Sequence, residues 1–378
     1  MKVCIDGIGL NMLQGTSLCS YTYEFLKNLT KIYPELKYNL IWDNDKEEKK
    51  YLENKLIYLN LNRLTNDYNI LENYIEENDI NIFHSINNGF SIPYNKKCKY
   101  VSTIYDLLPI FNMSYTDKPY YEKFMNSMPI AIENSDKIIA VSKFIKDQII
   151  EYFHVDNKKI QVIYPGCSNY FRSIDSNITK EFIKKNYNIY GEFLLYVGSI
   201  HPRKNLHVLL KVFKSIKYYN ATKNMKLVII GNYKGKAYEY YLKLKSLARF
   251  LKIQDDVIFT GSIDYQDTLY FYNSSECLIN LSLYEGFPLS VIEAMACGTP
   301  VICSNNKIFN EIIGDYAILV DVDDEVYIKE NILECLINHN YKEKLCKKGI
   351  KKSLEYKWEN NVFKMHGVYQ SLMDPHIK

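Results

Sequence analysis

Two carboxylates stand in this chain where one ligand's phosphate and hydroxyls could be held. The stretch from Tyr284 to Ile302 reads YEGFPLSVIEAMACGTPVI, with Glu285 before and Glu293 after a Gly-Phe-Pro turn. Pro288 suits the first turn of a helix, where its missing N–H costs nothing, and Gly298 suits the left-handed position just past a helix end. These marks predict a short helix from Leu289 to Cys297. Glu293 then lies on the face of Leu289, one turn in from an N-terminus whose free amides and dipole favour an anion. The segment therefore offers amides for a phosphate and two acceptors for hydroxyls. Arg203 and Lys204 follow the apolar run FLLYVGS and precede a helix with Asn205 as its expected cap. A cation pair at a strand end and just ahead of a helix is placed where ligands bind in parallel sheets, so a functional role is favoured over a solvated loop.

Two other constellations carry less. Asp43-Asn44-Asp45 has the D-x-D spacing of a divalent-metal site. It follows the apolar run YNLIW and precedes KEEKK, so it reads as a turn with solvated charges and no metal is expected. His201 is a lone loop histidine and is left out of the chemistry.

The elements that must position these residues follow from size and periodicity. A chain of 378 residues is long for a single core and favours two domains. The composition, 47% hydrophobic and 24% charged, is that of an ordinary globular protein, and a formal net charge of +3 with mixed signs argues against a nucleic-acid partner. A locally basic face is compatible with peripheral contact to a membrane. The nine cysteines are scattered, several inside apolar runs, with no C-x-x-C, so they read as buried reduced thiols. MKVCIDGIGL is not a secretory signal, and no apolar stretch reaches transmembrane length, which together point to the cytoplasm.

Short apolar runs alternate with amphipathic segments, the pattern of parallel sheets with crossover helices. Strands are expected at KVCID, YNLIW, LIYLN, INIFHS, YVSTIYD, KIIAVS and IQVIYP, with helices near 16–32, 118–134 and 143–153. The polar stretch from Cys167 to Glu192 reads as irregular and marks the domain boundary. A second series follows, FLLYVGS, KLVIIGN, VIFTGS, CLINLS, PVICS and AILVD. The expected fold is α/β, two doubly wound Rossmann-like domains facing across a cleft, at residues 1–180 and 181–356. In the tail, Trp358, Val362, Phe363, Met365, Val368, Tyr369 and Leu372 recur at helical spacing, so residues 357–378 read as a closing helix.

The blocks YVGSIHPRKN, VIIGN, VIFTGSI, LINLSLYEGFPLSVIEAMACGTPVICS and FNEIIGDYAILVD occur in that order between Phe193 and Asp324. This half resembles the donor domain of the retaining family 4 glycosyltransferases, which have the GT-B fold. The first half resembles the same family more weakly, through GIGLNMLQGTSLCSY, IFHSINNGFSIP, STIYDLLP, DKIIAVSKF and VIYPG. The resemblance implies that Glu285 faces the transferred sugar, that Glu293 binds the ribose hydroxyls, and that the backbone around Phe287, Pro288, Leu289 and Ser290 holds the sugar and the distal phosphate. It aims Arg203 and Lys204 at the donor pyrophosphate and brings Gly198, Gly261 and the first-domain Gly15 near the donor. Asp106 and His84 follow strand ends on the acceptor side. Where many members have His before the Asp of STIYD, this chain has Tyr105, and after Gly15 it has Thr16 and Ser17 in place of further glycine.

The function implied is a metal-independent retaining glycosyltransferase with no cofactor. It would move a hexose or deoxyhexose from a nucleotide diphosphate sugar, of the GDP-mannose or UDP-glucose type, to a hydroxyl of a glycan or lipid-linked glycan in cell-surface polysaccharide synthesis. Its place would be the cytoplasm, including the inner face of the cell membrane. Two rival classes stay open, a sugar-nucleotide epimerase of the same fold and a non-catalytic glycan-binding partner of a transferase. An epimerase would alter the donor with no acceptor present.

Overall fold

The computed structural model describes residues 1–7, 17–42, 56–60 and 68–374. These divide into two compact units, one of residues 1–166 and 357–378, the other of residues 167–356. Gly15, Asp43, Asn44 and Asp45 lie outside the described residues.

In the first unit, β1 (Lys2–Asp6), β2 (Lys37–Trp42), β3 (Leu56–Asn60), β4 (Ile82–Ser85), β5 (Lys99–Ile104), β6 (Lys137–Ala140) and β7 (Ile160–Val162) form one sheet in the order β3-β2-β1-β4-β5-β6-β7. Every pairing is parallel. Such strands are covered on both faces, which is why β1, β4 and β5 read as nearly continuous apolar runs and are buried almost throughout. The helices Lys118–Asn134 and Lys143–Phe153 have the bounds expected from sequence. Asp117 and Ser142 cap them, accepting from the amides of Tyr120 and Ile145. A further helix, Tyr68–Glu77, was not expected; of its described apolar residues only Leu71 and Ile75 are buried, while Ile70 is exposed.

In the second unit, β8 (Phe193–Val197), β9 (Lys226–Ile230), β10 (Val257–Gly261), β11 (Cys277–Asn280), β12 (Val301–Ser304) and β13 (Ile318–Val320) are ordered β10-β9-β8-β11-β12-β13, again all parallel. All six correspond to expected strands. The helix Leu206–Ile216 buries Leu206, Leu209, Leu210, Val212, Phe213 and Ile216 in the core of this unit.

Three expectations need correction. The units divide at Gly166, ahead of the expected residue 180. The segment after Gly166 belongs to the second unit because it is bonded there: Ile174 N–H donates to Asn273 Oδ1 (2.9 Å), Asn273 Nδ2 to Arg172 O (3.0 Å), and Ser274 Oγ to Thr179 Oγ1 (2.7 Å). Part of that stretch, read as irregular, is the helix Ser176–Tyr187, capped by Asp175 and burying Thr179 and Ile183. The tail forms the helix Trp358–Met373 and packs Trp358, Val362, Met365, Val368 and Tyr369 into the core of the first unit. Phe363, counted in that apolar stripe, is 70% exposed, because it lies off the face that the other five share. No described helix is long and apolar enough to cross a membrane.

Candidate active site

The order of the second sheet reverses between β8 and β11, whose neighbours on the outer sides are β9 and β12. In open parallel sheets the crevice beyond the carboxyl ends at such a switch point is where ligands bind. The loop after β8 carries Arg203 and Lys204, and the loop after β11 carries Glu285. A backbone bond ties the two loops together, Leu283 N–H donating to Arg203 O at 2.8 Å.

Side chains complete the tie. Arg203 Nη1 donates to Tyr284 O (2.7 Å) and to Glu285 Oε2 (3.0 Å), while Lys204 Nζ bonds Glu285 Oε1. Lys204 and Glu285 are buried, at 8% and 7% exposure. Burial works to raise the Glu285 carboxyl, but the charges of Lys204 and then Arg203 outweigh it and hold the group down at about 2. Glu285 is thus an anion at neutral pH. Two cations against one carboxylate leave the cluster a net positive charge, held in a place with little water.

His201 proves to be part of this arrangement. Pro202–Lys204 form a single 3₁₀ turn, and His201 caps it, its Nδ1 accepting from Arg203 N–H at 3.3 Å and its carbonyl from Lys204 N–H at 2.9 Å. Sequence reasoning set it aside; the one signal was its place just before Pro202, at the start of a turn. Asn205 stands where the helix cap was expected, but its backbone is left-handed (φ 57°) and its side chain makes no capping bond.

Glu293 sits in the helix Leu289–Ala296, with Cys297 as its C-cap and Gly298 left-handed at φ 77°. The carboxylate is 4% exposed and accepts from two phenols, Tyr265 Oη to Oε1 (2.7 Å) and Tyr272 Oη to Oε2 (2.9 Å). Nothing in the sequence singled out these two among 35 tyrosines. Pro288 is the N-cap and not the first helical residue. It has no amide, and Leu289 N–H turns back to Phe287 O at 3.0 Å. Two of the four positions expected to offer amides, Pro288 and Leu289, are therefore taken out of that role.

Gly198 follows β8, Gly231 follows β9 and Gly261 ends β10: Gly198 N–H donates to Ile230 O (3.0 Å), and Gly231 N–H to Gly261 O (3.1 Å). A Cβ on Gly231 would fall on the carbonyl oxygen of Gly198, so the approach of these loops needs glycine there.

The remaining candidates belong to the first unit. Asp106 follows β5, half-buried, its Oδ1 accepting from Leu108 N–H at 3.2 Å. The ring of Tyr105 packs edge-on against Tyr21. His84 does not reach a ligand site. It is fully buried in the core, Nδ1 on Tyr369 Oη (2.6 Å) and Nε2 on Thr103 Oγ1 (2.8 Å), and burial lowers it to about 3.

Two parallel, doubly wound units with polar machinery at a switch point define the GT-B class of glycosyltransferase. The glycosyl transferases group 1 model matches residues 178–352 and the glycosyltransferase family 4 model residues 43–168. The chain belongs to the family 4 glycosyltransferases. It is 25% identical over 291 residues to O-antigen chain mannosyltransferase B of Escherichia coli, covering 77% of this chain and 74% of that one. It is 26% identical to the uncharacterized glycosyltransferase MJ1178 of Methanocaldococcus jannaschii, covering 99% of each. The crystal structure of Anabaena HepE in complex with UDP-glucose superposes with a TM-score of 0.79 at 14% identity, over 98% of this chain and 100% of that one.

Proposed function

We propose that this glycosyltransferase is retaining and metal-independent, and that it moves a hexose or deoxyhexose from a nucleotide diphosphate sugar to a hydroxyl of a glycan or lipid-linked glycan in cell-surface polysaccharide synthesis. The observation that carries the reading is the cluster at the switch point of the second sheet in which buried Glu285 bonds both buried Lys204 and half-buried Arg203. The O-antigen relative supports a mannosyl donor of the GDP-mannose type, and HepE with UDP-glucose keeps the UDP-glucose type in view.

In this reading, Arg203 and Lys204 face the diphosphate, Glu285 the sugar, and Glu293 the ribose. The backbone around Phe287 to Ser290 and near Gly198 and Gly261 lines the donor; for Gly15 and Asp106 a part in the reaction is supported by the family resemblance alone. As the bond from the anomeric carbon to the phosphate oxygen breaks, its electron pair stays on that oxygen and negative charge grows there. The net positive cluster stabilises this state more than the intact donor, which is the condition for lowering a barrier. The acceptor oxygen attacks from the face the diphosphate leaves, and a phosphate oxygen takes its proton. Two fixed cations can offset the diphosphate charge without an ion. Action at the inner face of the cell membrane fits a lipid-linked acceptor.

The test is transfer from GDP-mannose, UDP-glucose and related donors to a lipid-linked acceptor, with the anomeric configuration of product and donor compared by NMR. Retained configuration supports the reading. Inversion, or change of the donor sugar with no acceptor present, overturns it.

A further inference from the structure

Glu293 is not simply a carboxylate on a helix; it is held between two phenols that come from the short helical stretch after β10. Tyr265 donates to one carboxylate oxygen and Tyr272 to the other, at 2.7 and 2.9 Å. The phenols are themselves fixed. Phe171 packs edge-on against both rings, at 5.3 Å from Tyr265 and 5.7 Å from Tyr272. Tyr272 is fully buried, and its backbone carbonyl accepts from Thr299 Oγ1 at 2.7 Å, just beyond the helix of Glu293. Phe171 lies in the stretch that the sequence alone marks as irregular.

The chemistry of this arrangement is one-sided. Burial first, and the charge of Glu293 second, push the Tyr272 phenol well above its ordinary range, so it stays protonated and a donor at every working pH. An ionised carboxylate accepts only. With each oxygen bound to a fixed donor, the plane of the carboxylate is set before any ligand arrives, and the cost of ordering that side chain is met in folding and not in binding. A group that approaches Glu293 must bring O–H or N–H donors in a fixed direction. A cis-diol does so with two hydroxyls at once, and a 2′-deoxyribose with one.

We infer that Tyr265 and Tyr272 are positioning residues that aim Glu293 at a ribose diol and so make the donor site select ribonucleoside over 2′-deoxyribonucleoside diphosphates. The inference rests on the proposed assignment of Glu293 to the ribose. Removing one phenol frees the carboxylate to rotate, and the loss falls on the ligand that uses both of its hydroxyls. Phe171 acts at one remove, through the two rings.

Calorimetric titration of the full chain with GDP and UDP and their 2′-deoxy counterparts tests this in wild type, Tyr265→Phe, Tyr272→Phe and Glu293→Gln. A hydrogen bond to a charged group is worth about tenfold to a hundredfold in binding, so wild type should prefer the better-bound ribonucleotide by at least about tenfold. Each Tyr→Phe variant should cut that ratio severalfold, mainly by weakening the ribonucleotide. Donor KM should rise while kcat holds. Tyr265, which is only half-buried, keeps the test valid if Tyr272→Phe folds poorly. An unchanged ribo-to-deoxy ratio in folded Tyr265→Phe, or equal losses for both sugars, would overturn the inference and leave the phenols as scaffold. Wild-type binding by Glu293→Gln is a different failure, because it removes the ribose assignment itself.

Discussion

Lys204 Nζ and Glu285 Oε1 are bonded across the switch point, with Arg203 Nη1 on the other oxygen of the same carboxylate. Glu285 therefore has work to do before any sugar arrives: it holds two cations that would otherwise repel each other in a buried place. Breaking a buried pair by removing one partner strands the other charge and costs more than the pair contributes.

Glu285→Gln should accordingly lower stability at neutral pH, by roughly 3 to 5 kcal/mol, as for a buried ion pair that loses one partner. The pH dependence has a definite sign. The folded carboxyl is held at about 2 against 4.5 for an unperturbed one, so its contribution is present above about 4.5 and is lost as pH falls toward 2. Urea unfolding at pH 7 and pH 3 should show the gap between wild type and variant shrinking on acidification. A gap that stays constant would mean the carboxylate is not held by the cations.

The cap on the cation turn gives a second expectation. His201→Ala removes the acceptor for Arg203 N–H. Loss of a cap costs about 1 kcal/mol of stability, so the variant should melt slightly lower, and kcat should fall as the turn that fixes Arg203 and Lys204 loosens. His201→Asn supplies another capping acceptor and should recover most of the rate. Asparagine no better than alanine in steady-state assays would make His201 a bystander.

These features were legible in the sequence to different depths. The strands of both sheets were readable because parallel strands buried on both faces leave continuous apolar runs, as in FLLYV and VICS. The helix Ser176–Tyr187 was not, because only Thr179 and Ile183 of it are buried and a polar surface hides so thin a stripe. Glu285 and Glu293 could be named from their Gly-Phe-Pro setting. That Glu285 pairs with both cations depends on the sheet order, which brings the loops after β8 and β11 together across more than eighty residues of chain. His84, placed by sequence near a strand end, is instead a pin in the core, because Tyr369 of the distant terminal helix closes over it.

That pin makes stability depend on acid. His84 is lowered by burial to about 3 from 6.5, so it folds neutral, and the contribution present above about 6.5 is lost as pH falls toward 3. Between pH 7 and pH 5 the unfolded chain gains a proton there that the folded one refuses, worth about 2 kcal/mol. His84→Gln should lose less stability than wild type over that interval in urea titrations. Equal losses would place the imidazole in contact with water.

Chelation bears on the charge argument. If Arg203 and Lys204 offset the diphosphate, EDTA should leave most transfer activity intact. Activity lost in chelator and restored by manganese or magnesium would return a role to Asp43 and Asp45.

The central claim is that Arg203 and Lys204 stabilise charge on a departing diphosphate, and Lys204→Met tests it most directly, since it keeps the apolar stem and removes only the charge. Withdrawing one such group from a water-poor site typically costs about 2.7 to 4 kcal/mol of barrier, a hundred- to a thousandfold in rate. Release of nucleoside diphosphate should be followed at saturating acceptor in wild type and in Lys204→Met confirmed as folded by its circular dichroism. The account predicts a fall in kcat of that size with a smaller rise in donor KM. A folded Lys204→Met enzyme with near-normal kcat would contradict it, and would leave the lysine as no more than the structural partner of Glu285.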